Sequence, residues 1–172
     1  IKSYDTLALY KAMKDAASTD EFGIKKFYSK KFLEVNDQSE SVSKSLEYAY
    51  DNWCIAQMAK DLGKDSDYDY FIRRSNTFIN TYDKETGFMR GKKNANWVTP
   101  FDPYEVSGIY TEANAWQYTW FVPQYIDKSI SMMGGKENYV TRLDTLFSTH
   151  AKLTGRSQPD ISGLIGQYAQ GN

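Results

Sequence analysis

Between Tyr110 and Phe121 the sequence reads YTEANAWQYTWF, which sets one carboxylate, Glu112, among two tryptophans, two tyrosines and a phenylalanine. A carboxylic acid in a poorly solvated aromatic setting has its charged form disfavoured. It can then stay protonated near neutral pH and donate a proton. A second reading competes with this one. If Thr111 caps a helix, Glu112 falls in its first turn, where a carboxylate simply complements the helix dipole. In that helix Trp116 and Trp120, four and eight residues on, share a face with Glu112. Both readings stand on the residues alone, because any general-acid enzyme can use such a wall.

Other chemistry is easier to exclude. The one histidine, His150, rules out a multi-histidine metal site within this chain and leaves a Ser-His-Asp arrangement without support. It ends an amphipathic stretch, where a surface imidazole is the ordinary reading. Cys54 is alone, so there is no disulfide framework and no paired-thiol site. A small core hydrophobe is expected there. Asp65-Ser66-Asp67-Tyr68-Asp69 opens like a calcium loop. Tyr70 stands where the sharp turn needs Gly, and Asn76 stands where a bidentate Glu belongs, so these acids are expected to open a helix instead. No glycine-rich phosphate loop is present. A net charge of -1, from 21 basic and 22 acidic residues, offers no footprint for nucleic acid. The apolar run around Trp120-Phe121-Val122 is far too short for a transmembrane segment, and no signal-peptide pattern opens the chain.

The elements that must position Glu112 read as helices. Leu7, Tyr10, Met13 and Ala17 make a stripe over Tyr4 to Ala17. Ser18 to Glu40 is polar, with a short extended piece at Phe32-Leu33-Glu34-Val35. Ser41 to Leu62 is the strongest helix, with Leu46, Ala49, Trp53, Ala56 and Leu62 on one face and Gly63 as its C-terminal cap. Asp65 or Ser66 caps the next, which carries Phe71, Phe78 and Tyr82. Asp83 to Tyr110 is a loop too long for an idle connector. Helices are then expected over Glu112 to Val122, Pro123 to Met133 and Glu137 to Ser148, with Gly134-Gly135 separating the last two. The length of 172 residues suits one domain. The end at Gly166-Gln167-Tyr168-Ala169-Gln170-Gly171-Asn172 lacks a closing element and reads as a cut within a larger fold. Aromatics make up 16% of the chain, with 14 Tyr and 4 Trp, and their flat faces suit both a core and a groove for sugar rings.

Six blocks occur in order: SKSLEYAYDNWCIAQMAKDLGK (Ser43 to Lys64), TGFMRG (Thr86 to Gly91), TPFDP (Thr99 to Pro103), YTEANAWQYTWFVP (Tyr110 to Pro123), MMGG (Met132 to Gly135) and GLIGQYAQGN (Gly163 to Asn172). Together they resemble the catalytic region of glycoside hydrolase family 92, the calcium-dependent exo-acting α-mannosidases, most strongly over residues 41–172. The resemblance implies an all-α (α/α)6 toroid packed on an N-terminal β-sandwich, with about half of the toroid in residues 1–172. It implies removal of terminal α-mannose from N-glycan or mannan with inversion. Inversion needs an acid on the leaving oxygen and a base that activates water on the opposite face. By the same resemblance Glu112 is the general acid, and Asn172 opens a GNE motif of the calcium site. The aspartates that act as base lie downstream of this chain, so the chain alone is expected to be inactive. Gln167 and Tyr168 stand where members preferring 1,2-linkages carry His-Glu, which favours another linkage. Gln124 and Gln170 replace histidines usual in the family. Trp116, Arg90, Trp97 and Phe101 are further candidates for substrate contact, the last three with packing against neighbouring helices as their alternative. The family also implies export from a bacterium, to the periplasm, the cell surface or the medium. A reading from another class is a non-catalytic helical module that binds glycan or protein through its aromatic groove. A repeat scaffold is disfavoured, since no period of about 33–34 residues appears.

Overall fold

The computed structural model describes residues 4–170. At its centre is α3, Ser41–Asp61, which buries Leu46, Ala49, Ile55, Ala56 and Ala59 together with the polar Ser41, Ser43, Ser45 and Asn52, while Asp51, Lys60 and Asp61 stay exposed. It stops at Gly63, whose φ of +65° is open to a residue without Cβ. There Gly63 N–H donates to the Lys60 carbonyl at 3.0 Å and Lys64 N–H to the Ala59 carbonyl at 2.8 Å, a Schellman cap.

The chain turns back as α4, Asp65–Ser75, with Asp65 and Asp67 in its first turn, where their charge suits the helix dipole. Asp67 also accepts from the Tyr10 hydroxyl and the Lys14 ammonium, both at 2.6 Å. Tyr10 and Lys14 belong to α1, Thr6–Ala16, which is capped by the Asp5 carboxylate on Ala8 N–H at 2.9 Å. Tyr10, Ile55, Ala56, Ala59 and Phe71 form the core shared by these three helices. Leu7, expected in the α1 stripe, is exposed.

After α4 a 3₁₀ stretch, Asn76–Thr81, leads into two antiparallel hairpins. In the first, β1 (Tyr82–Asp83) pairs with β2 (Phe88–Met89). In the second, β3 (Lys92–Lys93) pairs with β4 (Asn96–Trp97). β5 (Glu105–Val106) runs parallel to β6 (Thr154–Gly155), and β7 (Leu164–Ile165) pairs antiparallel with β8 (Tyr168–Ala169). Between them lie α5 (Ala115–Tyr118), α6 (Ile126–Met132) and α7 (Lys136–Ser148), the last two separated by Gly134 and Gly135 at φ +88° and +103°. The main core gathers Phe27, Leu46, Phe78, Phe88, Met89, Tyr110, Trp116 and Leu146, so it joins the helices to the hairpins.

Four departures from the sequence reading have physical causes. The chain is helical for much of its length, yet the long loop from Asp83 onward is built from two-stranded ladders. Ser18 to Glu40 contains a helix, α2 (Ile24–Lys30), that buries Phe27. Phe32 to Val35, expected as a short extended piece, runs from a bend at Phe32 to a turn at Val35 with no strand pairing, Leu33 N–H donating to Ser45 Oγ and Val35 N–H to the Lys92 carbonyl. The helix carrying Phe71 ends at Ser75, short of Phe78 and Tyr82.

Candidate active site

The segment Tyr82 to Val122 is mostly irregular backbone, and side chains supply what a helix ladder would. Asp83 lies at the first hairpin turn and accepts from Glu85 N–H at 3.0 Å and the Thr86 hydroxyl at 2.8 Å. Its Oδ2 also accepts from Arg90 Nη1 at 2.7 Å, and both side chains are buried. Burial alone would push the Asp83 carboxyl up. The Arg90 guanidinium, the Thr86 hydroxyl and the Glu85 amide together outweigh it and hold the group below its usual range. Arg90 Nη2 donates to the Val98 carbonyl at 2.7 Å, and its guanidinium carbon sits 4.2 Å over the Phe101 ring centre and 5.7 Å from that of Trp97. Lys92 stands 4.3 Å over the other ring of this pair, Trp97.

Glu112 occupies a turn of its own. Its φ of +48° is in the left-handed region, which costs a residue with a side chain on the order of 1 kcal/mol or more and persists only where neighbours enforce it. The neighbours are specific. Tyr110 donates its hydroxyl to the Met89 carbonyl at 2.7 Å, and Thr111 N–H donates to Ser43 Oγ at 2.8 Å. Ala113 is buried, and Asn114 caps α5 in a capping box: Asn114 Oδ1 accepts from Gln117 N–H at 3.3 Å, and Gln117 Oε1 accepts from Asn114 N–H at 2.9 Å. Thr111 is therefore not the cap, and Glu112 precedes the helix instead of opening it. The expected face shared with Trp116 and Trp120 does not exist as a helical face, because α5 spans only four residues.

The Asn114 amide donates to Gln167 Oε1 at 2.8 Å, and Gln117 Nε2 donates to the Gln167 carbonyl at 2.9 Å. Gln167 is itself fully buried. Its Nε2 donates to the Ala151 carbonyl at 2.8 Å and its backbone N–H to the Leu146 carbonyl at 2.7 Å. Its visible role is to lock β7 and β8 onto α5. The next residue, Tyr168, is exposed, lies against Phe147 and donates to Gln170 at 3.0 Å.

Thr111 and Ala113, the two neighbours of Glu112, line an apolar depression of about 480 Å³ whose wall includes Tyr118, Phe121, Phe147 and Tyr168. On its far side Tyr118 donates to Glu47 of α3 at 3.1 Å. Burial pushes the Glu47 carboxyl up, against the pull of the Tyr118 bond. Of the candidate residues, Tyr168 lines this depression, while Glu112 and Gln167 are its chain neighbours, Glu112 between Thr111 and Ala113 and Gln167 before Tyr168. Arg90 and Phe101 instead line a separate cavity of about 30 Å³, with Trp97 beside Arg90. Trp116 lines neither and is buried edge-on to Phe88, ring centres 4.9 Å apart, with its indole N–H lacking a protein partner. Gln124, where a histidine was expected, likewise has both amide atoms buried without a protein partner. Another depression, of about 600 Å³ and lined by Phe22, Tyr28, Tyr48, Asp51 and Cys54, holds none of the residues picked from sequence.

Ser43 and Glu47 were not picked, since a serine and a glutamate on a long helix look ordinary. The signal available is their one-turn spacing on a single helix.

Asn172 lies outside the described residues. Among the described residues no three His, Cys, Asp or Glu side chains gather to hold a metal ion. Nor is any helix among them long and apolar enough to cross a membrane.

Glu112 thus sits in a left-handed turn whose two chain neighbours line an aromatic depression. The profile of the glycosyl hydrolase family 92 catalytic domain matches residues 1–172, and the chain belongs to that family. Among solved structures, it is similar to a family GH92 α-mannosidase of Bacteroides thetaiotaomicron bound to mannoimidazole. Identity is 39%, the TM-score is 0.91, and the match covers 100% of this chain and 24% of that one. A family GH92 inverting mannosidase of the same organism matches at 31% identity and a TM-score of 0.78, over 87% of this chain and 22% of that one. An uncharacterized secreted glycosidase of Arthroderma benhamiae is 23% identical over 163 residues, 80% of this chain and 21% of that protein. The chain therefore spans about a quarter of the solved relatives and a fifth of the curated one.

Proposed function

We propose that this chain is part of a calcium-dependent exo-α-mannosidase that inverts the anomeric centre, with Glu112 as general acid. The observation that carries this reading is the enforced left-handed turn at Glu112, flanked on both sides by residues lining the aromatic depression. Backbone strain of this kind collects where a side chain must be held in one place. In the reaction Glu112 gives its proton to the leaving glycosidic oxygen as the bond to the anomeric carbon breaks. A second carboxylate, about 6.5–9.5 Å away across the sugar, deprotonates the attacking water. That base would lie in the rest of the parent protein, as would the remaining ligands of a calcium site that Asn172 would help to hold.

Tyr168 is exposed on the depression and is the foremost candidate for contact with the glycan. Gln167 anchors the hairpin that carries it, and Trp116, packed on Phe88, is a buried neighbour of that scaffold. Arg90, Trp97 and Phe101 form a second aromatic-cationic cluster for a more distant part of the substrate. A linkage other than 1,2 is proposed from the Gln167-Tyr168 pair. The helical half-toroid, an N-terminal β-sandwich and export complete the reading. Support for export is the secreted glycosidase among the relatives.

The test is Glu112→Gln in the full-length parent. Turnover of an unactivated α-mannoside should fall about 10²–10⁴-fold, the usual worth of proton transfer. An aryl mannoside with an acidic phenol leaving group needs less protonation and should lose much less. Equal losses on both would remove Glu112 from the acid role.

A further inference from the structure

One stripe of α3 grips the whole run from Gly108 to Phe121. At its N-terminus, Glu40 N–H donates to the Gly108 carbonyl at 2.6 Å and Val42 N–H to the Ile109 carbonyl at 3.1 Å. One residue on, the fully buried Ser43 hydroxyl accepts Thr111 N–H, the amide immediately before Glu112. Glu47, one turn further, accepts the Tyr118 hydroxyl at the end of α5. Tyr50 then meets Phe121 edge-on, with ring centres 6.0 Å apart. Positions 43, 47 and 50 follow helical spacing, so a single rigid face sets the segment before, across and after Glu112.

From this geometry we infer that Ser43 and Glu47 are positioning residues for Glu112: Ser43 fixes the amide that enters the left-handed turn, and Glu47 fixes the Tyr118 ring that walls the depression beyond it. The inference rests on the general-acid reading of Glu112 and adds the elements that aim it. A left-handed residue does not hold its own conformation, and here the Thr111 amide has Ser43 Oγ as its partner. Without that hydroxyl the turn relaxes, and the carboxyl leaves the line of the glycosidic oxygen. Displacements of about 1 Å at a reacting group cost on the order of 10²-fold in rate. The effect belongs to kcat, because the sugar contacts that set KM lie on other residues.

The experiment uses the full-length enzyme and two substrates, an unactivated α-mannoside and an aryl α-mannoside with an acidic phenol. Ser43→Ala should lower kcat on the first about 10–100-fold, with KM held within about twofold and a much smaller loss on the second substrate. Tyr118→Phe, which removes only the hydroxyl bound by Glu47, should show the same asymmetry at smaller size. It carries the test if Ser43→Ala does not fold. Glu112→Gln is measured beside them. If it loses equally on both substrates, the acid reading itself falls. If it shows the asymmetry while Ser43→Ala and Tyr118→Phe lose equally on both substrates, or lose nothing, the positioning role alone is overturned.

Discussion

The helices α3 and α4 and the segment from Tyr82 to Val122 solve the same problem in opposite ways. In the helices the backbone satisfies its own N–H and C=O groups, which leaves side chains free to pack: Ile55, Ala56, Ala59 and Phe71 meet with hardly a polar atom between them. In the segment the backbone has few internal partners. Asp83, Arg90, Asn114, Thr119 and Tyr110 therefore spend their polar atoms on backbone groups of their own or neighbouring turns. Polar substitution is expected to be tolerated on the outer faces of the helices and to be costly in the segment. Catalytic candidates fall in the segment because only an irregular backbone holds a side chain at a chosen angle away from a regular ladder.

The sharpest way to break this contrast is Asp83→Ala. It leaves the Arg90 guanidinium buried without its carboxylate and frees the turn at Glu85 and Thr86. Removing one partner of a buried pair costs about 3–5 kcal/mol, read as a fall in the thermal midpoint. The pH dependence has a definite sign. The Asp83 carboxyl titrates below its usual range in the fold, so its stabilisation is present above the unfolded carboxylate range near pH 4 and is lost as the pH falls through the lower folded value. The wild type should therefore lose its advantage over Asp83→Ala on acidification. An unchanged midpoint difference between about pH 7 and pH 3 would show that the pair is not what anchors the turn.

A smaller effect is expected at Gln167, which joins the terminal hairpin to α5. Gln167→Leu keeps the volume but strands the Asn114 amide and the Ala151 carbonyl. Unsatisfied buried polar groups cost about 1–3 kcal/mol. Amide hydrogen exchange should quicken across β7 and β8 first, since these strands depend on that bond. Global destabilisation without local opening would count against the lock.

How much of this was legible in the sequence follows the same division. The α3 and α4 pair could be read from Leu46, Ala49, Ala56 and Gly63, because periodicity and capping are local properties. The helix α2 escaped, since it is short, buries Phe27 alone and is flanked by left-handed residues at Gly23 and Lys31. Glu112 stands out by its aromatic company, yet its backbone setting is not legible. The 112–122 stretch looked like one amphipathic helix, and nothing local announces a positive φ on a glutamate. The capping box from Asn114 to Gln117 was there to be seen, and it moves the helix start three residues past Thr111. Ser43 was invisible for a different reason. Its value lies in a bond across 68 positions of chain, which no local pattern encodes.

The gentlest test sits where the two regions touch. Glu47 belongs to α3 but serves the segment, and burial raises its carboxyl above the ordinary range while Tyr118 and Lys44 pull it down and Glu40 pushes it up. A carboxyl with a raised folded value binds its proton more tightly in the fold than in the unfolded chain. Its contribution is therefore favourable at low pH and fades as the pH rises from the unfolded range through the folded one. Above that window the ionised group is a small burden on the fold. Glu47→Gln keeps an oxygen for the Tyr118 hydroxyl and removes the titration. Below about pH 4 the variant and the wild type should melt together. At neutral pH the variant should melt at the same temperature or slightly higher. If Glu47→Gln lowers the midpoint at neutral pH instead, the charge on Glu47 is itself a needed partner for Tyr118. The helix would then contribute to the segment by electrostatics and not only by placing an acceptor.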